Sequence, residues 1–272
     1  MEVTGKGTYT HPIIIDAYGE GNQKPCIAGN DTSMYAVRIF NSDYFTIQNL
    51  EISNTGKERK AGRTGLKVEC TDYGISHNIR INNLTIRDVN GSLVKEEGGG
   101  SGILIVNGGD SIRSRFDSLT IENCHILRCE RNAMIWSGYY DRKNWYPNKH
   151  TIVRNNVIER VPGDGIVPIG CDSTLIEYNL MCDSPDILPM TEAAGICLGV
   201  VTIPSYNIMK YGDIKRHGMH KDSTPTTIAR IPLYNTITVT TITEEWYLYA
   251  TVEMQEIIAA ETSEALFDII SV

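Results

Sequence analysis

"INNLTI", residues 81–86, is one of five short segments that share an apolar-x-x-apolar-x-apolar outline. The other four are IQNLEI (47–52), IENCHI (121–126), VRNNVI (153–158) and IEYNLM (176–181). Successive segments begin 34, 40, 32 and 23 residues apart. A minimal unit of about 23 residues, lengthened by loops, explains this series and predicts a repeat architecture.

A second short apolar run precedes each of the later segments. These runs are GLKVE from Gly65, GILIV from Gly102, AMIWSG from Ala133 and GIVPIG from Gly165. Short strands rich in Ile, Val and Thr, with no 3.6-residue period between them, are typical of a parallel β-solenoid. The third position of the first four segments is Asn, which suits a turn whose amide bonds the equivalent group one coil away.

This outline resembles the right-handed parallel β-helix repeat proteins of the pectate-lyase-like superfamily, which are secreted polysaccharide lyases and glycoside hydrolases. The opening GKGTYTHPIIIDAYGEG (5–21) is similar to the first coils of that group, and the resemblance covers residues 4–196. It implies an all-β, right-handed parallel β-helix over residues 1–196 that lacks its N-terminal coils. It also implies a polysaccharide or oligosaccharide partner and a parent protein that is secreted, periplasmic or on the cell surface.

Composition excludes several other classes of protein. The net charge of −8 provides no basic stripe for phosphates, so we expect no nucleic-acid partner. No apolar run approaches the roughly 20 residues of a membrane-spanning helix, and the first residues lack the layout of a signal peptide. Seven cysteines include no CxxC pair, so we expect buried free thiols and no metal site. We also expect a monomer.

The composition changes abruptly after Ile196. Residues 1–196 hold 17 of the 19 asparagines and 21 of the 24 glycines. The tail can be back-translated and read from the third base of each codon. In that frame, PSYNIMK (204–210) can encode I-I-Q-Y-N-E-V. Strings of the form Q/R-Y-N then recur 28 and 33 residues apart. We therefore predict a lost base at codon 197, so that residues 197–272 are a frameshifted, aberrant tail and not a native domain. The alternative is a genuine, unrelated extension.

The candidate catalytic residues are Asp164, Glu130 and Arg131. Asp164 directly precedes a strand, and Ser101 and Asn132 occupy the equivalent position in earlier coils, so a polar line is expected along one edge of a sheet. A glycosidase needs two carboxyl groups about 5–9.5 Å apart, whereas a lyase needs a base and a cation that acidifies a uronate proton.

The longest polar and aromatic insertion is SGYYDRKNWYPNKH (137–150). Its aromatic rings suit the C–H faces of sugars, and its cations suit carboxylates. The candidate substrate-binding residues are Tyr139, Tyr140, Arg142, Trp145, Tyr146 and Lys149. The alternative is a loop that packs its own aromatics against the rod.

The resulting hypothesis is a fragment of a polysaccharide-active β-helix enzyme, a glycoside hydrolase, that is inactive as written. One alternative is a polysaccharide lyase acting on uronates; another is a non-catalytic glycan-binding or structural solenoid. We expect no cofactor if the protein is a hydrolase. Ca²⁺ is a candidate cofactor only if the protein is a lyase.

Overall fold

A computed structural model describes residues 1–21, 23–139 and 141–182, except for the side chain of Arg142. Beyond residue 182 it describes only the backbones of four strands, which are Val201–Thr202, Ile208–Tyr211, Thr238–Thr243 and Trp246–Thr251.

Three stacks of parallel strands form the sides of a solenoid. The first sheet contains β1 (Glu2–Val3), β4 (Tyr35–Phe40), β7 (Arg63–Thr71), β10 (Gly100–Gly108), β13 (Asn132–Ser137) and β17 (Ile166–Val167). The second side contains β2 (Ile13–Ile15), β5 (Phe45–Gln48), β8 (Ile75–Asn82), β11 (Arg115–Glu122) and β15 (Ile152–Arg154). The third contains β3 (Cys26–Ala28), β6 (Glu51–Asn54), β9 (Thr85–Val89), β12 (His125–Cys129) and β16 (Val157–Glu159).

Strand β19 (Leu175–Cys182) joins the second and third sides, because its first half pairs with β15 and its second half with β16. Two short strands, β14 (Asn148–Lys149) and β18 (Cys171–Asp172), extend the second side at its upstream corner. Every strand pair in these stacks is parallel. Within the described part of residues 1–182, the single helical element is a 3₁₀ turn at Arg142–Asn144. The predicted all-β, right-handed parallel β-helix is therefore confirmed.

The repeated segments stack in register. Ile47, Ile81, Ile121, Val153 and Ile176 are consecutive partners on the second side, and each is fully buried. Burial of such a side chain contributes about 1.5–3 kcal/mol. A single coil exposes this face, so the stack itself creates the core.

The recurring Asn turns the chain between the second and third sides. Asn49, Asn83, Asn123 and Asn155 have φ of 59°, 50°, 56° and 54°, and Tyr178 has the same left-handed conformation. Asn tolerates this region better than other residues with a Cβ. The amide of Asn83 donates to Oδ1 of Asn49 one coil away at 2.8 Å, as the pattern predicts.

Six cysteines fall within the described residues, and all are free thiols. Four are buried, Cys182 is half-buried and Cys26 is exposed, so the expected buried free thiols are confirmed for four of the six; Cys197 lies outside the described residues. No helix in the described part of the chain is long and apolar enough to cross a membrane.

The structure describes four strands after residue 196. β20 (Val201–Thr202) pairs in parallel with β18, and β21 (Ile208–Tyr211) pairs in parallel with β19. β22 (Thr238–Thr243) and β23 (Trp246–Thr251) form an antiparallel pair. The frameshift at codon 197 stays a prediction.

Candidate functional site at the upstream corner of the second side

The predicted polar line lies along the upstream edge of the first sheet. Ser101 pairs in register with Asn132, and Oγ of Ser101 lies 3.2 Å from Oγ1 of Thr64 in the coil before. The backbone N–H of Asp164 donates to Oδ1 of Asn132 at 3.2 Å. The register predicted for Ser101, Asn132 and Asp164 is therefore correct.

Glu130 and Arg131 extend from this edge in different directions. Both oxygens of the half-buried Glu130 carboxylate accept hydrogen bonds from the guanidinium of Arg59. The side chain of Arg131 is buried and donates to the carbonyl of Leu93 at 2.8 Å. These two neighbours therefore contact different parts of the preceding loops.

Arg131 shares its position in the coil with Arg63, because the register aligns both with Gly100. Arg63 is also buried, and its guanidinium donates to the carbonyls of Glu58 and Asp31 at 2.8 Å. Both arginines therefore donate hydrogen bonds to backbone carbonyls of loops that precede their own strands in the chain. A catalytic role for Glu130, Arg131 and Asp164 stays a prediction.

The aromatic loop, residues 137–150, leaves the opposite edge of the first sheet. It follows β13, whereas Glu130, Arg131 and Asp164 lie upstream of β13 and β17. The six residues of β13 span about 16 Å at the usual rise per residue. The sequence-predicted catalytic and substrate-binding residues therefore occupy two edges of the first sheet.

Two tyrosines of the aromatic loop enclose an arginine from the coil below. The rings of Tyr139 and Tyr146 meet edge to face, with centroids 5.8 Å apart. The guanidinium carbon of Arg113 lies 5.2 Å from the centroid of Tyr139 and 4.7 Å from that of Tyr146. Arg115 lies 5.1 Å from the ring of Tyr146. The loop therefore packs partly against the rod, as the alternative interpretation predicted, while Arg113 remains exposed.

Charged side chains of five consecutive coils line the corner beside this loop. We call Asp43, His77, Asp117, Lys149 and Asp172 the charged column. The register pairs His77 with Asp117, Asp117 with Lys149 and Lys149 with Asp172. Nδ1 of His77 lies 3.3 Å from Oδ1 of Asp43. Neighbouring coils are about 4.8 Å apart, so Asp117 and Asp172 lie about 9.6 Å apart along the column.

Asp117 is held by a histidine and an arginine. Its Oδ1 lies 2.8 Å from Nδ1 of His150, and its Oδ2 lies 3.9 Å from the guanidinium of Arg115. Burial opposes ionisation of this carboxyl, but the hydrogen bond from His150 and the nearby positive charges outweigh burial and lower its pKa. Asp117 is therefore an anion at neutral pH.

Lys149 and Asp172, at the end of the charged column, have fewer ionic partners than Asp117 in the described part of the chain. Within the described residues, neither Lys149 nor Asp172 forms an ion pair, and both side chains are half-buried. An amine and a carboxylate that face outward in neighbouring coils are suited to bind a polar ligand.

Sequence reasoning named Tyr139, Tyr146 and Lys149 at this corner. The rings of Tyr139 and Tyr146 are in contact, and Lys149 pairs in register with Asp117. Trp145 is half-buried in the same loop, Tyr140 lies outside the described residues, and only the backbone of Arg142 is described, in the 3₁₀ turn. Sequence reasoning missed Arg113, Arg115, Asp117, His150 and Asp172. A usable signal was present, because the members of the charged column are spaced by 34, 40, 32 and 23 residues, like the repeats.

No group of three or more His, Cys, Asp or Glu residues in the described part of the chain is arranged to hold a metal ion. The histidines of the strands instead pair singly with carboxylates, as in His125 with Glu159 at 3.1 Å.

Comparisons with known proteins identify the architecture. No protein-family model matches the chain, and no curated protein sequence matches it. Two crystal structures of the GH136 lacto-N-biosidase from Eubacterium ramulus are similar, with TM-scores of 0.61 for the native protein and 0.58 for the selenomethionine derivative. Each is 23% identical and covers 76% of this chain but 43% of the lacto-N-biosidase chain.

A third structure, an alginate lyase from Paenibacillus sp. str. FPU-7, is 13% identical with a TM-score of 0.36, and covers 80% of this chain and 86% of that one. At these identities the similarity to the lacto-N-biosidase establishes the fold. The chain spans less than half the length of that neighbour.

Proposed function

We propose that this chain is part of a parallel β-helix glycoside hydrolase that acts on oligosaccharides or polysaccharides, and that the aromatic loop and the charged column bind its substrate. The observation that carries the proposal is the position of Asp117 and Asp172 on one outward column, where Arg115 lies between the carboxylate of Asp117 and the ring of Tyr146. Sugar rings stack on aromatic faces, and glycoside hydrolysis uses two carboxyl groups.

The spacing along the column supports an inverting rather than a retaining arrangement. Retaining enzymes place their carboxyl groups about 5–5.5 Å apart, and inverting enzymes place them about 6.5–9.5 Å apart with a water between. The backbone positions of Asp117 and Asp172, two coils apart, are separated by about 9.6 Å along the column, which is slightly beyond the second range and well beyond the first. The similar GH136 lacto-N-biosidase is a glycoside hydrolase by name, which supports hydrolysis and does not bear on inversion or retention.

A lyase is the second candidate, because cations cluster at the same corner. Arg113, Arg115 and Lys149 could neutralise a uronate carboxylate, and the amine of Lys149 has no ion pair within the described residues. A lyase needs this combination of a cation and a base. Ca²⁺ belongs only to this second candidate.

We further propose that the chain as written is inactive, because the coils that complete the site follow codon 197 in another reading frame. Secretion and a monomeric state remain part of the proposal. The alternative frame of MHKDSTPTT (219–227) can encode D-A-Q-G-F-D-S-D-Y, an Asp-rich turn that would lie a coil beyond Asp164, in line with the polar edge of the first sheet.

An activity assay on a frame-restored protein tests these proposals. New reducing ends without absorbance from an unsaturated uronate indicate a hydrolase, and such absorbance indicates a lyase. Asp172→Asn should reduce hydrolysis by at least about a hundredfold, since loss of a catalytic carboxyl removes general acid–base assistance. A matched control is Glu177→Gln, an outward residue of β19 away from the charged column. Saturable glycan binding without either product would instead favour a non-catalytic solenoid.

A further inference from the structure

A depression on the second side lies beside the first coils of the charged column. It encloses about 490 Å³, open solvent included. Six of its lining residues are Tyr9, Tyr44, Thr46, Asn78, Ser118 and Thr120. None of these belongs to the corner described above, and none was singled out by the sequence.

The backbone at this corner explains the shape of the depression. Tyr44, Asn78 and Ser118 align in three consecutive coils, and all are left-handed, with φ of 46°, 52° and 69°. A bulky residue such as Tyr is rare in this region. The repeated turn offsets the strand at the same place in each coil, so neighbouring side chains border a continuous depression.

The lining presents groups that suit a sugar. Tyr9 is 85% exposed, and the ring of Tyr44 stacks on His77 with centroids 6.3 Å apart. The side chains of Thr46, Asn78 and Thr120 have no hydrogen-bond partner within the described residues. Their hydroxyl and amide groups supply both donors and acceptors.

The charge of the residues that line the depression favours neutral sugars over acidic ones. Its cation, Arg80, is already paired with the buried carboxylate of Glu122 at 2.5 Å. The lining therefore offers no unpaired positive charge, in contrast to Arg113 and Lys149 at the corner site. A neutral saccharide fits this balance better than a uronate.

We propose that this depression is a second saccharide-binding subsite that takes a neutral part of a glycan, with Tyr9 as a stacking platform and Asn78 as a polar contact. The subsite lies on the coils of Tyr44, Asn78 and Ser118, up to four coils from Asp172, which is about 19 Å along the solenoid axis. This inference takes its class of ligand from the proposed function.

The test is calorimetric titration of the full chain with cellohexaose, xylohexaose and chitohexaose, and with trigalacturonate as the acidic comparison. At least one neutral hexasaccharide should bind saturably. Tyr9→Ala and Asn78→Gly should each weaken that binding by about three- to tenfold, since an aromatic or hydrogen-bonding contact contributes about 0.5–1.5 kcal/mol. Glycine at position 78 retains the positive φ.

Matched controls exist for both variants. Tyr18→Ala removes another fully exposed tyrosine, and Asn155→Gly replaces another left-handed, exposed asparagine. Neither control should change the affinity. Absence of binding by every neutral hexasaccharide would overturn the inference, and so would stronger binding of trigalacturonate.

A third variant, Tyr146→Ala, distinguishes binding at the corner beside the aromatic loop from binding at the second subsite. Binding that Tyr146→Ala abolishes, and that Tyr9→Ala leaves unchanged, would overturn the second subsite while the proposed function stands. Binding that depends on Tyr9, in a frame-restored protein that cleaves no glycan, would support the subsite and contradict the proposed hydrolase.

Discussion

Nδ1 of His150 lies 2.8 Å from Oδ1 of Asp117 in the neighbouring coil. His150, the last residue of the aromatic loop, therefore contacts the carboxylate of Asp117 in the charged column. The same residue has a φ of 53°, in line with the left-handed Ser118 of the coil before. A turn that the fold repeats in each coil therefore positions a side chain at the candidate site.

This contact predicts a change in the pKa of Asp117. The His150→Gly variant keeps the left-handed backbone and removes the imidazole, so the pKa of Asp117 should rise toward the ordinary value of about 3.9. Carbon-detected NMR titration of the carboxyl measures this change. His125→Ala, which removes a histidine paired with Glu159, is the control and should leave Asp117 unchanged. An unaltered Asp117 titration in His150→Gly would contradict the assigned cause.

A second prediction concerns acid stability and the buried carboxylate of Glu122. Burial would raise its pKa, but hydrogen bonds from Arg154 and Arg80 outweigh burial and lower it. A carboxyl with a lowered pKa in the folded state stabilises the fold above its unfolded pKa, and this contribution is lost as the pH falls through the folded pKa.

Glu122→Gln should therefore reduce the free energy of unfolding by about 1–3 kcal/mol at pH 7, and the difference from the parent chain should shrink below about pH 4. Urea unfolding at several pH values measures it. Glu177→Gln, two coils along the same column, has no ion pair within the described residues and should change stability little. A difference that grows at low pH would contradict the sign.

A third prediction uses the turn between the second and third sides. Tyr178 occupies the left-handed position that Asn fills in four earlier coils, with a φ of 52°. Tyr178→Asn should raise the free energy of unfolding by about 0.5–1 kcal/mol, because Asn enters this conformation at lower cost. Thermal unfolding measures the gain. Asn83→Tyr should lose at least as much, and a stabilising Asn83→Tyr would show that the turn does not select Asn.

A fourth prediction concerns the thiols. Burial raises the pKa of Cys124 and Cys129 to about 12, so both are protonated and inaccessible at pH 8. Iodoacetamide should modify the exposed Cys26 in the folded protein, and mass spectrometry should find the two buried thiols modified only after unfolding. Equal labelling of all three in the native protein would contradict the core packing.

The fold was predictable because its signal is repeated. The stacked Ile47, Ile81 and Ile121 and the Asn turns appear in the sequence with the coil spacing, and each coil obeys the same packing rule. The edge formed by Ser101, Asn132 and Asp164 followed from that register.

The site was less predictable because its residues are adjacent only after the register is known. Asp117 and Lys149 are separated by 32 residues and become neighbours through the stack. Arg131 illustrates the opposite difficulty. A charged residue that suggests chemistry in the sequence is buried and holds a carbonyl, as Arg63 does two coils earlier.

The central claim is that the corner beside the aromatic loop is the substrate site of a glycoside hydrolase. The most direct test measures new reducing ends from a panel of oligosaccharides with the frame-restored protein, its Asp172→Asn and Asp164→Asn variants, and the chain as written. We predict cleavage by the restored protein, at least about a hundredfold less with Asp172→Asn, and none by the chain as written. Full activity of Asp172→Asn would contradict the assignment of the corner, and loss confined to Asp164→Asn would move the site to the upstream edge of the first sheet.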